Sequence, residues 1–246
     1  MNSQTVICMK WGTRYGPEFV NRLASMVARN TEKPTRFVCF TDDTANVDQH
    51  IECHPLPDIK NIPERVAWTP WRKLAVWQDP LQDLTGDVLF LDLDLVITGG
   101  LDDFFAYEPG AFVAIDNWTQ PGQGVGNTSA FRFPIGKYTH IFDDFVRDPE
   151  AVLGRWRIEQ QYISESVDYM AFWPAAWCVS FKHSLLPRWP LNFFKSPELS
   201  DDARIVAFTG KPDADDALLG RWPGRAPRHY LYKHVCPTPW IADHWR

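Results

Sequence analysis

A ten-residue apolar run, Val88 to Ile97, carries two carboxylates towards its far end, Asp92 and Asp94. Turn-forming residues flank it at 85–87 and 98–100, and the run is too short for a typical helix, so it predicts a strand buried on both faces. Successive side chains alternate along a strand, so the two carboxylates share one side unless the backbone turns between them. Such a strand belongs at the centre of an α/β sheet.

Two neighbouring carboxylates repel each other, and burying both without partners costs several kcal/mol. A cation is therefore expected beside Asp92 and Asp94. Magnesium and manganese bind carboxylate oxygens and are commonly shared with substrate phosphates, so the pattern predicts a metal and nucleoside diphosphate site. For an Asp-x-Asp taken alone, the alternative is a strand end whose carboxylates face water or a neighbouring Lys or Arg.

The first third of the chain has the pattern of a βαβ unit. A strand is predicted at Thr5–Met9, a helix from Pro17 that is capped near Asn30, and a second strand at Thr35–Phe40. Ligands of α/β proteins gather beyond the carboxyl ends of the strands, so the loops at 10–15 and 41–43 are expected on one edge. The first loop has neither Gly-x-Gly-x-x-Gly nor a Walker lysine, so dinucleotide and P-loop sites are not supported.

The rest of the chain continues the alternation of helices and strands. The further predicted elements are an irregular excursion at 44–69, a helix at 70–79, a helical turn at 101–105, a strand at 111–116, a loop at 117–126, a strand at 130–133, a helix at 137–153 divided at Pro149, a helix from Glu159, and strands at 177–181 and 204–208. No repeat or low-complexity linker interrupts this order, which favours one domain over residues 1–246.

Composition excludes some classes of protein. A formal net charge of −6 disfavours a nucleic-acid partner. The five cysteines form no Cys-x-x-Cys pair and are odd in number. Both features favour free thiols in a reducing cytosol. The sequence shows neither a leader-like N-terminus nor a stretch of membrane-spanning length, so a cytoplasmic location is expected. Trp240, Ile241 and Trp245 leave open a peripheral contact with the inner face of the membrane.

Six short motifs follow one another in a characteristic order. They are the opening strand and loop at Thr5–Tyr15, Lys73-Leu74 before the central strand, Leu91-Asp92-Leu93-Asp94, Asn127-Thr128, Glu159-Gln160-Gln161, and Ala207-Phe208-Thr209-Gly210-Lys211-Pro212. In this order they resemble the nucleotide-sugar-dependent glycosyltransferases of the GT-A fold, family 8 and its bacterial relatives in particular.

The resemblance implies an α/β fold with a GT-A type Rossmann-like mixed sheet flanked by helices in one domain. Residues 1–116 would form the nucleotide-binding half and residues 117–246 the sugar- and acceptor-binding half. The implied reaction is metal-dependent transfer of a sugar from a nucleotide-diphosphate donor, UDP by analogy, to a hydroxyl of a saccharide, glycolipid or small acceptor. The anomeric configuration would be retained, and the cofactor would be Mn²⁺ or Mg²⁺.

The resemblance also assigns roles to individual residues. Asp92 and Asp94 would hold the metal, and Gln160, Glu159 and Asp94 would form the catalytic group. Thr41 and Asp42 would bind the base or ribose, Tyr15 would stack on the base, and Asn127, Thr128 and Gln160 would bind the sugar hydroxyls. The full set expected around the donor is Lys10, Trp11, Gly12, Tyr15, Thr41, Asp42, Lys73, Leu93, Asn127, Thr128, Gly210 and Lys211.

Two positions depart from the family pattern. Ala207 stands where the family has a metal-ligating histidine, which leaves His234 and His244 as candidate third ligands or implies a weaker metal site. Gln161 stands where the family has a second acidic residue. Two other functions stay open at this stage: a haloacid-dehalogenase-type phosphatase, whose nucleophile also lies in an Asp-x-Asp, and a non-catalytic sugar-nucleotide-binding protein.

Overall fold

A mixed sheet of seven strands organises the residues that the computed structural model describes, 4–224 and 226–246. The strands of this part of the chain are β1 Gln4–Lys10, β2 Thr35–Thr41, β3 Glu52–Pro55, β4 Asp87–Leu91, β5 Leu95–Ile97, β6 Phe112–Asp116, β7 Gly126–Pro134, β8 Met170–Phe172, β9 Cys178–Ser180 and β10 Ile205–Ala207. The main sheet has the order β3-β2-β1-β4-β7-β6-β8, and β7 runs antiparallel to both of its neighbours. A second sheet has the order β5-β10-β9. The predicted α/β mixed sheet is confirmed.

The apolar run that predicted one central strand forms two strands in two different sheets. β4 ends at Leu91, residues 92–94 turn, and β5 begins at Leu95 and pairs with β10 rather than with the main sheet. The single strand at 88–97 is therefore a wrong prediction. The residues before and after the turn are equally apolar because both strands are fully buried. The hydrophobic pattern therefore gives no sign of the turn between them.

The helices are short, and α1 begins at Pro17 as predicted. They are α1 Pro17–Arg29, α2 Glu64–Ala67, α3 Asp102–Ala106, α4 Thr139–Arg147, α5 Pro149–Arg155, α6 Glu159–Ser166, α7 Ala214–Leu218 and α8 Trp240–His244, with 3-10 turns at Pro70–Trp77, Leu191–Phe193 and Pro227–Leu231 and a π turn at Phe181–Leu185. Pro149 divides the predicted helix as expected, because it begins α5 behind an Asp148 side-chain cap. None of the helices in the described ranges has the length and apolar character needed to cross a membrane.

Four further regions differ from the sequence prediction. The excursion at 44–69 is not wholly irregular, because it contains β3 and α2. The predicted helix at 70–79 is a 3-10 helix over Pro70–Trp77. The strand expected at 130–133 extends over nine residues as β7, and the edge strand β8 was not predicted. Edge strands and Pro-rich segments depend on the neighbour they pair with, so local patterns identify them poorly.

The core lies on both faces of the main sheet. Val6 and Cys8 of β1 pack on one side, under α1, while Ile7 and Met9 pack on the other side, against the 3-10 helix at 70–77. This two-sided burial explains the continuous apolar strands. β7, from the second half of the sequence, lies between β4 and β6 of the first half, so the two halves share one sheet.

Candidate active site

The turn at 92–94 lies at the carboxyl end of β4, and a buried lysine meets its first carboxylate. Lys73 Nζ lies 2.7 Å from Asp92 Oδ2 and donates a second hydrogen bond, 3.2 Å long, to the carbonyl oxygen of Thr128. Burial lowers the pKa of Lys73, but the charges of Asp92 and Glu159 outweigh it and leave that pKa raised. The cation expected beside the paired carboxylates is therefore, in this structure, Lys73.

The second carboxylate of the turn is held by the first loop. The hydroxyl of Tyr15 donates to Asp94 Oδ2 at 3.0 Å, and the backbone N–H of Phe208 donates to the carbonyl oxygen of Asp94 at 2.9 Å. Burial and then the neighbouring charge of Asp92 raise the pKa of Asp94 to about 7. Two distant segments thus converge on this one residue.

A second polar group joins the site from β7 and α6. Thr128 Oγ1 donates to Glu159 Oε1 at 3.2 Å, and burial raises the pKa of Glu159. Asn117 Nδ2 donates to Gln160 Oε1 at 3.1 Å, which ties the glycine-containing loop at 117–126 to α6. Through Lys73 and Thr128, the structure connects Glu159 with Asp92, two residues of the predicted catalytic and metal groups.

The residues predicted to contact the base and ribose make bonds within the protein that hold the first loop in place. Asp42 Oδ2 accepts from the backbone N–H of Gly12 at 2.8 Å, and Lys10 Nζ lies 3.9 Å from Asp42 Oδ1. Gly12 has φ +59°, a conformation that favours glycine. Thr41 Oγ1 donates to the carbonyl oxygen of Asp43. The second strand therefore fixes the loop that leads to Tyr15.

Two aromatic residues of the site are relevant to the expectation that Tyr15 stacks on the base: Tyr15 itself and Trp68. The Tyr15 ring packs on Phe19 with centroids 4.9 Å apart, and the Arg14 guanidinium lies 4.7 Å above the same ring, so this ring is already in contact on two sides. The exposed aromatic side chain of the region is Trp68, which is 60% accessible and whose carbonyl accepts from Trp11 Nε1 at 3.2 Å. Sequence reasoning missed Trp68, because nothing local distinguishes it among twelve tryptophans.

These elements enclose a cleft of about 240 Å³. Its lining residues are Met9, Trp11, Arg14, Tyr15, Trp68, Pro70, Lys73, Asp92, Leu93 and Asp94. A larger cavity of about 640 Å³ lies at the opposite edge, beside the strand starts at Gln4 and Asp87. The smaller cleft is the better candidate site, because ligands of open α/β sheets bind outside the carboxyl ends of the strands.

Two lysines lie at the late Gly-Lys-Pro loop. The expected one, Lys211, is already paired, and a second one, Lys182, contacts the loop from the π turn. Lys211 Nζ pairs with Asp213 at 2.5 Å and with Asp216 at 3.3 Å, so two carboxylates already meet its charge. Lys182, from the π turn, donates to the carbonyl oxygen of Thr209 and lies 3.6 Å from where a Cβ on Gly210 would be. Burial and the nearby Lys233 lower the pKa of Lys182, and Asp94 raises it. No sequence motif marks Lys182.

The donor set suits a hard divalent cation shared with phosphate oxygens. Asp92 and Asp94 both line the cleft and offer carboxylate oxygens, the ligand type that such a cation prefers. Ala207 is buried opposite Leu95 and supplies no ligand. The ring of His234 stacks on Phe193, with centroids 4.6 Å apart, and the carbonyl of His244 accepts from Arg29 near the end of α1.

Two other acidic groups within the described ranges carry ion pairs. Glu52, His54 and Asp83 form one group, and Asp213, Asp215 and Asp216 form the other. Arg36 bridges Glu52 and Asp83 in the first. Lys211 and Arg14 meet Asp213 in the second. Both groups therefore already have cationic partners in the structure.

Comparison with solved structures identifies the architecture. The galactosyltransferase LgtC, in complex with donor and acceptor sugar analogs, superposes with a TM-score of 0.61 at 12% sequence identity, covering 86% of this chain and 89% of that one. The fold is that of the GT-A glycosyltransferases. No protein-family model and no curated protein sequence matches the chain.

Two further glycosyltransferases share this GT-A fold. The apo structure of the bifunctional glycosyltransferase WbbM has a TM-score of 0.58 at 11% identity, and the glycosyltransferase GlyE of Streptococcus pneumoniae TIGR4 has 0.55 at 15%. Both alignments cover 86% of this chain, but only 46% of WbbM and 56% of GlyE. The present chain thus spans about half the length of those two proteins and most of the length of LgtC.

Proposed function

We propose that this protein is a glycosyltransferase that moves a sugar from a nucleotide-diphosphate donor to a hydroxyl of a saccharide, glycolipid or small acceptor. The observation that carries the proposal is the cleft at the end of β4, where Asp92, Asp94 and Lys73 meet in a GT-A fold. The similarity to LgtC, whose structure contains donor and acceptor sugar analogs, supports it. The donor nucleotide is UDP, and the cation is Mn²⁺ or Mg²⁺.

The reaction needs the diphosphate leaving group to be neutralised as the glycosidic bond breaks. A divalent cation held by Asp92 and Asp94 would supply that positive charge. Burial raises the pKa of Asp92, and Lys73, 2.7 Å away, opposes that effect by favouring the carboxylate. Tyr15 orients Asp94 through its hydroxyl. Lys182 faces the same region and adds a positive charge on the side of the late loop.

The donor sugar lies against β7 and α6 in this proposal. Asn127, Thr128 and Gln160 bind its hydroxyls, and Glu159 fixes Thr128 through a buried hydrogen bond. Gln160 sits near the reacting carbon, with retention of configuration by front-face attack. An active-site mutant of LgtC replaces a glutamine with glutamate, which supports an active-site glutamine in this fold.

The proposed catalytic unit is a single domain in the cytoplasm, with its nucleotide half at 1–116 and its sugar and acceptor half at 117–246. The position of β7 between β4 and β6 supports one domain rather than two, because each half supplies strands to the other's core. Thr41, Asp42 and Lys10 act in the proposal by fixing the first loop around the base and ribose.

Calorimetric titration of UDP and of GDP, with Mn²⁺ or with chelator, tests the proposal on the wild type and on Asp94→Asn. Manganese-dependent binding of UDP that the variant loses is the expected result. The absence of binding of both nucleotides to folded protein would overturn it. Hydrolysis of the UDP-sugar to UDP, followed on a panel of donors, then identifies the sugar.

A second candidate is a sugar-nucleotide-binding protein without turnover. The observation in its favour is Ala207, which removes a metal ligand that the resembling family has at this point. Donor binding with neither hydrolysis nor transfer under any acceptor would select it. The phosphatase alternative gains no support from the fold, and no phosphate release from phosphomonoesters is expected.

A further inference from the structure

Large apolar side chains are concentrated on one part of the surface. Of the ten exposed ones among the described residues, six belong to two short segments, 189–194 and 230–232. We call these six the aromatic surface: Trp189, Leu191, Phe194, Tyr230, Leu231 and Tyr232. Phe194 is 81% accessible, Leu231 76% and Trp189 65%, so they contribute little to the core. An apolar grouping of this kind marks an interaction site.

The two segments are fastened together, so their side chains form one surface. Trp189 Nε1 donates to the carbonyl of Leu231 at 3.0 Å. The buried Asn192 donates from Nδ2 to the carbonyls of Tyr232 and His234 at 2.9 and 3.0 Å. These bonds join stretches about forty residues apart and hold the aromatic surface in a fixed shape.

The chain around the aromatic surface is strongly basic. Residues 182–197 and 217–242 contain seven of the 25 lysines and arginines and none of the 31 aspartates and glutamates. The rest of the chain carries all 31 acids against 18 bases, so these two segments of the sequence are basic although the net charge is −6. Arg221 among them pairs with Asp215 and Asp216. Arg188 and Lys195, on either side of Trp189 and Phe194 in sequence, are both exposed.

We propose that the aromatic surface docks on an anionic lipid bilayer. Tryptophan and tyrosine are favoured at the boundary between headgroups and acyl chains, and lysine and arginine are attracted to anionic headgroups. A second copy of the chain fits less well. A two-fold interface would bring the same cations against each other, and the cores of protein interfaces are depleted in lysine.

A series of contacts connects the aromatic surface with the candidate active site. The carbonyl of Asp94 accepts from the backbone N–H of Phe208, the carbonyl of Thr209 accepts from Lys182, and Lys182 lies in the turn that precedes Trp189. Lys233, next to Tyr232, lies close enough to Lys182 to repel its charge, and Lys182 in turn feels the charge of Asp94. Docking would therefore hold the cleft near the lipid headgroups. That the acceptor is a lipid-linked hydroxyl rests on the proposed function, whereas the docking itself does not.

Sedimentation with large unilamellar vesicles tests the docking without any reference to catalysis. The full chain is mixed with phosphatidylcholine vesicles that either contain or lack phosphatidylglycerol. We expect binding to the anionic vesicles only, weakened by added salt because the charges are screened. Arg188→Gln/Lys195→Gln should lower the partition coefficient about thirtyfold, since each of the two basic residues near the surface contributes on the order of 1 kcal/mol.

Matched variants separate the aromatic surface from nonspecific effects. Trp189→Ser/Phe194→Ser should abolish binding, whereas Tyr169→Ser/Arg147→Gln, which removes an exposed aromatic ring and an exposed cation elsewhere, should bind like wild type. Circular dichroism confirms that each variant is folded. Failure of wild type to bind anionic vesicles, or equal binding by all variants, would overturn the proposal.

An oligomer is the remaining competing outcome. Wild type that does not bind vesicles but forms a dimer in light scattering, with the dimer lost in Trp189→Ser/Phe194→Ser, would show that the aromatic surface binds a second copy of the chain. The lipid assignment would then be wrong. Calorimetry with UDP on the same preparations distinguishes these results from a failure of the proposed function, because docking and nucleotide binding are measured independently.

Discussion

Lys73 Nζ and Asp92 Oδ2 lie 2.7 Å apart although 19 residues separate them in sequence, and both side chains are largely buried. The pair joins the 3-10 helix before β4 to the turn after it. The carbonyl of Thr128 takes a second hydrogen bond from the same ammonium, so one lysine links three segments of the site. A lysine so placed affects stability as well as ligand binding.

Lys73→Met should lower the free energy of unfolding by about 3 kcal/mol, because it leaves a buried carboxylate without its cation. Denaturant titration at neutral pH measures the change. Lys73→Met/Asp92→Asn should recover much of the loss, since no charge then remains unpaired. As a control, Arg65→Met removes a fully exposed ion pair with Glu150 and should change stability little. Equal losses for Lys73→Met and the double variant would contradict this account.

Asp94→Asn should abolish metal-dependent nucleotide binding and yet stabilise the protein in chelator. The folded pKa of Asp94 is raised to about 7 from 3.8. A raised carboxyl pKa means that folding favours the protonated form, so stability increases as pH falls from about 7 towards 4. The neutral amide imitates that form, and a gain of about 1 to 3 kcal/mol at pH 8 is expected. A lower melting temperature for the variant at pH 8 would refute the argument.

Tyr15→Phe should weaken Mn²⁺-dependent UDP binding about tenfold while leaving the fold intact. The ring keeps its packing on Phe19 and under Arg14, and the variant loses only the hydrogen bond that orients Asp94. Groups that orient metal ligands commonly have effects of this size. Titration calorimetry with Mn²⁺ and with chelator measures it. Phe19→Leu, which changes the packing and keeps the hydroxyl, is the matched control and should retain affinity.

Lys182→Met should reduce UDP affinity by about tenfold, and Lys211→Met by much less. Lys211 is paired with Asp213 and Asp216, whereas Lys182 has no carboxylate partner within the described ranges. A hydrogen bond to a charged group contributes about 1.5 to 3 kcal/mol, which corresponds to a tenfold or greater change in affinity. Calorimetry on both variants compares them directly. A larger loss of UDP affinity for Lys211→Met would mean that Lys211, and not Lys182, binds the diphosphate.

The protein should lose stability at low pH as Glu52 becomes protonated. Hydrogen bonding from Arg36 is the main cause that lowers the pKa of Glu52 to about 2. Folding therefore favours the carboxylate, so this contribution is present above about pH 4.5 and is lost as pH falls towards 2. The side chain is 37% exposed, so solvent screening limits the effect to about 1 kcal/mol.

Comparison of wild type with Glu52→Gln checks the assignment. Melting temperatures measured from pH 7 down to pH 3 should differ most at pH 7 and converge in acid. Asp144→Asn, which removes an acid from an exposed pair with Arg147, should give a curve parallel to wild type. A constant offset between wild type and Glu52→Gln at every pH would exclude the proposed linkage.

Much of the fold is present in local sequence patterns. Helix α1 begins at Pro17 and ends before Asn30 as its apolar spacing predicts, and β1 and β2 lie within a residue or two of the predicted bounds. The neighbouring side chains Lys73, Asp92, Thr128 and Glu159 were all predicted from motif order. Periodicity and capping residues identify these elements because they record locally which face of each helix or strand is buried and where it begins and ends.

The sequence by itself determined that two carboxylates at the end of a buried run need a cation, since that follows from charge and burial alone. Only the tertiary structure decided that Lys73 lies beside Asp92, that the run turns at 92–94 into a second sheet, and that the hydroxyl of Tyr15 donates to Asp94. The same holds for Trp68 at the cleft, for Lys182 beside the late loop and for the aromatic surface. Each depends on segments tens of residues apart, and contacts over such separations are fixed by packing rather than by local pattern.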